Sequence, residues 1–132
     1  MRIAQSLIDE MVAHAREDLP NECCGMVGGR GDVAMSVYRA ENEFASPLRF
    51  GVASKDLFRI TQKEMPEREE ELVAIYHSHT HTEAFPSQTD IRLAYYPDSA
   101  YVIVSLADQA KPSLRAFRIV DGEVAEMEVA VR

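Results

Sequence analysis

The chain has 132 residues, 46% hydrophobic and 27% charged, which suits one folded domain with a core of its own and excludes disordered or fibrous classes. A net charge of −8 with no basic run argues against nucleic-acid binding through phosphate neutralisation. No apolar run approaches the roughly 20 residues of a membrane span, and the start, acidic and helically periodic, is not a signal peptide. The only cysteines, Cys23 and Cys24, are adjacent and too close for an ordinary bridge. A reducing, cytoplasmic setting is expected, with no membrane partner.

From Ser6 to about Asp18, Leu7, Ile8, Met11, Val12 and Ala15 recur at helical spacing, and Pro20 ends the pattern. Cys23 to Gly28 is short and apolar, and Val33 to Ala40 is strand-like. The two predict a hairpin around a turn marked by Gly28, Gly29 and Gly31. Glu41 to Val52 reads as loop. Ser54 is a plausible N-cap for a helix towards Glu64. Pro66 and the acids Glu67, Glu69, Glu70 and Glu71 suggest a solvated end.

Leu72 to His79 suits a central strand, Ser87 to Tyr96 a helix stopped by Pro97, and Ala100 to Leu106 another strand. Leu114–Val120 and Glu123–Val131 alternate and are joined by an Asp121-Gly122 hairpin turn. The expected fold is α+β: a curved, mainly antiparallel or mixed β-sheet flanked by helices, as one domain over residues 1–132.

His77, His79 and His81 follow one another at a spacing of two. On a strand, residues i and i+2 share a face, so His77 and His79 can aim two imidazoles at one point. A polar strand end with satisfied histidines explains that pair equally well. Ser87 and Asp90 then form a Ser-x-x-Asp pattern at a helix start, resembling a capping box with a shorter acid. A helix starting there would bring Asp90 to the histidines. Two imidazoles and one carboxylate suit zinc and leave a position open for water. A base is then needed, and Glu22 is a candidate, although a surface acid after a helix is its simpler reading.

His77-Ser78-His79, seven residues, Ser87, two residues, Asp90 resembles the signature of the JAMM (MPN+) metallopeptidases. Glu22 within Pro-Asn-Glu-Cys-Cys-Gly matches the setting of their upstream glutamate. The resemblance implies a deaminase-like architecture, one Zn2+ on His77, His79 and Asp90, Glu22 as catalytic base and Ser87 as oxyanion donor. The loop Thr80-His81-Thr82-Glu83-Ala84-Phe85-Pro86 is most similar to the actinobacterial-type enzymes of sulfur-carrier metabolism. This implies hydrolysis of the amide joining cysteine to the C-terminal Gly-Gly tail of a ubiquitin-like sulfur-carrier protein. Thr80 and His81 are then the expected substrate contacts. Ser78, between the ligands, should face away. Alternatives are a deubiquitinase-like isopeptidase, a non-catalytic MPN scaffold, a structural zinc site with His81 as fourth ligand, and a cysteine hydrolase using Cys23 or Cys24.

Overall fold

A computed structural model describes residues 1–132. The chain runs β1 (Arg2–Ile3), α1 (Gln5–Glu17), β2 (Cys24–Arg30), β3 (Val33–Ala40), α2 (Ser54–Arg59), a π-helical stretch (Ile60–Glu64), α3 (Met65–Glu67), β4 (Glu71–His79), α4 (Gln88–Arg92), β5 (Ala100–Ser105), β6 (Ser113–Val120), β7 (Glu123–Met127) and β8 (Ala130–Val131). All eight strands form one mixed sheet in the order β7-β6-β5-β4-β2-β3-β1-β8. The pairs β2·β3, β2·β4, β5·β6 and β6·β7 are antiparallel; β4·β5, β1·β3 and β1·β8 are parallel.

The connectivity forces the sheet to curl. Strands β7 and β8 are its two edges, yet only Glu128 and Val129 separate them. Seven spacings of about 4.8 Å would part the edges of a flat sheet by roughly 34 Å. Three residue steps span at most about 11 Å. The edges must therefore come round towards each other.

Period-two alternation divides the core between the two faces. Ala74 and Tyr76 of β4, Val102 and Val104 of β5 and Ala116 of β6 pack with Met11 and Ala15 of α1. The opposite face carries Ile75, Tyr101, Ile103, Phe117 and Ile119. At the β2–β3 end, Met26, Cys24 and Tyr38 meet Ile60 and Met65 of the second helical segment. Strand β4 is covered on both sides and is buried from Ala74 through His79. His77 and His79 belong to the face away from α1, and Ser78 to the α1 face.

Several expectations are revised. Gly28 and Gly29 lie inside β2, at a register shift, and the turn itself uses Gly31 at φ 59°. A side chain at Gly28 would collide with the Glu70 carboxylate. Ser54 is the first helical residue of α2, and Ala53 is the cap, with no side-chain hydrogen bond. Pro66 does not end the helix: it lies in α3, which follows directly on the π-helical stretch. Glu70 is not a solvated acid: it accepts hydrogen bonds from the hydroxyls of Ser36 and Tyr38. Helix α4 stops at Arg92, short of Tyr96. Pro97 disfavours helical backbone at Tyr96, and the Tyr96 N–H donates to Tyr101 Oη at 2.9 Å. The last predicted strand breaks after Met127, and its remainder crosses to pair with β1. The Asp121-Gly122 hairpin turn is present, with φ of 50° and 80°.

Candidate metal centre

Strand β4 ends at His79, and seven residues of loop lead to Ser87. Ser87 caps α4: its Oγ accepts from the Asp90 N–H at 3.0 Å, and Asp90 Oδ2 accepts from the Ser87 N–H at 2.9 Å. This reciprocal capping box turns the Asp90 carboxylate back towards the strand end. Asp90 Oδ2 stands 3.1 Å from His77 Nε2 and 3.0 Å from His79 Nε2, and the two imidazole nitrogens are 3.2 Å apart. All three side chains are buried.

The second set of contacts orients these groups. His79 Nδ1 lies 2.8 Å from the Glu83 carbonyl. An N–H donated there leaves Nε2 with its lone pair facing Asp90. The His77 ring is stacked on Phe50, with centroids 4.1 Å apart and planes 15° from parallel. Burial holds His77 below the usual histidine range, against the pull of Asp90. Burial also lowers His79, but its bonds to Asp90 and Glu83 outweigh that and raise it. Burial raises Asp90, and the two imidazoles overcome this and hold its carboxyl far below the carboxylate range.

In its neutral form, with Nδ1–H donated to Glu83, His79 presents the Nε2 lone pair to a carboxylate oxygen at 3.0 Å, with a second imidazole alongside. A cation between them resolves that opposition. Two imidazoles and one carboxylate are donors suited to zinc, and three protein ligands are the number found in catalytic zinc sites. The residues fit the expected metal.

Glu22 precedes β2 and is 4% exposed. Its backbone is pinned by the 41–52 loop: its N–H donates to the Ser46 carbonyl at 2.9 Å, and its carbonyl accepts from Asn42 Nδ2 at 3.0 Å. Its Oε1 is buried with no hydrogen-bond partner. Desolvation raises its pKa to about 8, while His79 and Asp90 pull it in opposite directions. A buried carboxyl with an unpaired oxygen and a raised pKa, within the field of His79 and Asp90, makes Glu22 a candidate acid–base group.

The remaining predicted residues separate. Ser78 faces the α1 side, where its Oγ accepts from the Cys23 N–H at 2.8 Å. His81 is exposed and lies outside the donor group. Thr80 is 3% exposed, and its hydroxyl is 3.5 Å from the Pro47 carbonyl, turned into the 41–52 loop. Cys23 and Cys24 are buried, and burial pushes Cys23 up to about 12 and Cys24 higher still, so neither supplies a thiolate. The sequence offers the 80–85 and 42–50 segments as groove walls, but not the contacts that Phe50, Asn42 and the Glu83 carbonyl make with His77, Glu22 and His79. These residues lie on loops, where no periodicity marks them.

Two recesses lie by the site, one reaching two of the donors and the other Glu22. An apolar cavity of about 320 Å3 is lined by His77 and Asp90 together with Phe50, Ile75, Ile103 and other apolar side chains. An open polar cleft of about 620 Å3 includes Glu22, Asn21, Asn42, Arg39 and Lys55. No helix is long and apolar enough to cross a membrane.

The chain is 42% identical to CysO-cysteine peptidase of Mycobacterium tuberculosis over 134 residues, covering 98% of this chain and 89% of that protein. It is 30% identical to the probable TtuB-protein conjugate cleaving protease of Thermus thermophilus over 127 residues, 96% of this chain and 81% of that one. Among solved structures, protein DSY2949 of Desulfitobacterium hafniense superposes with a TM-score of 0.91 at 36% identity, over 99% of this chain and 92% of that chain. Residues 4–120 match the family of prokaryotic homologues of the JAB domain. The JAMM resemblance read from the histidine-serine-aspartate motif is thereby upheld, and the chain belongs to that family.

Proposed function

We propose that this chain is a zinc-dependent peptidase, folded as one catalytic domain. Its reaction is hydrolysis of the amide that joins an amino acid, cysteine foremost, to the C-terminal glycine of a ubiquitin-like sulfur-carrier protein. The observation that carries the reading is the meeting of three buried donors with an unsatisfied buried carboxylate, Glu22. The 42% identity to CysO-cysteine peptidase supports the substrate class, and the relative named for cleaving TtuB-protein conjugates supports a protein carrier. Two free buried thiols suit a reducing cytoplasm.

His77, His79 and Asp90 would hold the zinc. When bound, it lowers the pKa of a coordinated water to about 7 and polarises the scissile carbonyl. Glu22 accepts a proton at its free Oε1 and returns it to the departing amine. Its burial keeps its affinity for that proton high enough for both transfers. The Ser87 hydroxyl accepts from Asp90 N–H through a lone pair, so its own proton stays available to an oxyanion. Thr80 supports the site by holding the Pro47 segment, and exposed His81 contacts the carrier tail. A narrow glycine tail can lie extended between the 80–85 loop and the 42–50 segment.

The test compares wild type with Glu22→Gln, measuring zinc content and cleavage of a sulfur-carrier–cysteine adduct. Stoichiometric zinc in both, with the variant slowed by about 10²–10⁴-fold, is the expected result for loss of an acid–base group. A folded wild type that takes up no zinc would overturn the metal assignment. Cleavage of a ubiquitin-like isopeptide in preference to the cysteine adduct would move the activity to the isopeptidases.

A further inference from the structure

The apolar cavity beside His77 and Asp90 has no evident use in holding a tail that ends in glycines, because such a tail has no side chains to fill it. Strands β4, β5 and β6 contribute Ile75, Ile103 and Ile119, all from the face that carries His77, and Leu57 and Leu93 come from the helical layer. No lysine or arginine lines this space, and Glu43 is the only acid there besides Asp90.

One cation stands at its edge. The Arg49 guanidinium carbon lies 4.0 Å from the centroid of Phe44, whose side chain lines the cavity. The next residue, Phe50, also lines it and stacks on His77. Thus Arg49 is one residue from a side chain that touches a donor of the proposed metal. In the neighbouring polar cleft, Arg39 is paired with Glu17 at 2.5 Å and Lys55 with Glu41 at 2.7 Å. The Arg49 carbonyl accepts from Asn42 Nδ2, but its guanidinium takes part in none of the ion pairs or hydrogen bonds of the molecule.

An apolar chamber opening on the reacting centre, with an unpaired guanidinium at its rim, describes an amino acid that has an uncharged side chain and a free carboxylate. Guanidinium matches carboxylate with two parallel hydrogen bonds. We infer that the cavity and Arg49 form the subsite for the released residue, the side chain entering the cavity and the α-carboxylate pairing with Arg49. This rests on the peptidase reading above and deepens it. Arg49 supplies the contact that selects a terminal residue, since an internal lysine acceptor offers no free carboxylate beside the bond. The site also accepts uncharged side chains larger than that of cysteine, because about 320 Å3 is room for them.

Two measurements on the zinc-loaded protein separate this from the parent reading. The first is calorimetric binding of free L-leucine and of L-leucinamide to wild type and Arg49→Ala. Leucine should bind wild type about tenfold better than the amide, and Arg49→Ala should remove the difference, as expected for one charge-assisted pair. The second is hydrolysis of carrier adducts ending in cysteine, methionine, leucine, aspartate, lysine or cysteinamide. The methionine and leucine adducts should stay within about tenfold of cysteine in kcat/KM, and the two charged ones should fall by about a hundredfold or more. Cysteinamide should show a raised KM with wild type, and Arg49→Ala should give the acid and the amide the same KM. Arg49→Lys should restore part of the preference.

Equal binding of leucine and leucinamide to wild type would overturn the subsite, as would aspartate or lysine adducts cut as fast as leucine. If leucine binds as described and no carrier adduct is cut, the peptidase reading fails while the subsite stands.

Discussion

Glu22 is the residue whose environment makes the strongest demand. Its carboxyl, ordinarily near 4.5, is raised by burial to about 8. Between those values the folded, metal-free chain keeps a proton that the unfolded chain has released, so stability falls as pH rises through that window. Below about 4.5 both states are protonated, and the penalty is absent. Glu22→Gln removes the titration. In thermal unfolding with a chelator present, the variant should gain on wild type progressively from about pH 4.5 to about pH 8. An advantage independent of pH would show that Glu22 does not titrate there. Ser78 makes a different kind of contribution. It is fully buried and takes the Cys23 N–H, so Ser78→Ala strands a buried donor and should cost about 1–3 kcal/mol by denaturant unfolding. Zinc content should be unchanged, because the hydroxyl faces away from the donors.

At the scale of elements, α4 has only five residues and depends on its cap. The cap is also what orients Asp90. Ser87→Ala should therefore lose about 0.5–2 kcal/mol of stability and weaken zinc binding by about 10–100-fold, as loss of a ligand's hydrogen-bonded support does. Competition with a chromophoric chelator measures the second effect. Strand β2 has its own critical position at Gly25, between β3 and β4. A Cβ there would stand 2.5 Å from the Tyr38 carbonyl and collide with the Tyr76 ring. Gly25→Ala should destabilise by about 1–3 kcal/mol, and it should loosen the strand that follows Glu22.

For the whole molecule, the last residues hold the sheet in its curl. The Ala130 N–H donates to the Met1 carbonyl, the Arg132 N–H to that of Ile3, and the Gln5 N–H to that of Arg132, while the terminal amine reaches the Glu128 carbonyl at 2.9 Å. Deleting 128–132 removes these four hydrogen bonds. It should cost about 2–6 kcal/mol at a typical net value for each, read as a lower Tm with far-UV circular dichroism largely retained. The proposed zinc would act at the same scale. Its removal by chelator should lower Tm by an amount that grows with the zinc concentration used for loading, because a ligand bound only to the folded state stabilises by mass action.

Local chemistry in the sequence determined much of this protein. The alternation in β4 set His77 and His79 on one face and Ser78 on the other. Asp121-Gly122 specified a hairpin turn, and Ser87-x-x-Asp90 a capped helix start. Each depends on neighbours in the chain, so spacing alone carries it. The tertiary structure decided the rest. The two-residue strands β1 and β8 are too short for any period, and only their pairing across the closing sheet defines them. Helix α4 ended early because a tyrosine from β5 captured the Tyr96 N–H. Thr80 turned into the 41–52 loop, Phe50 came to lie on His77, and Arg49 was left without a carboxylate, because that irregular loop folds back over the strand end. No repeat in sequence encodes such a fold-back. It follows from which surfaces remain to be covered once strands and helices have packed.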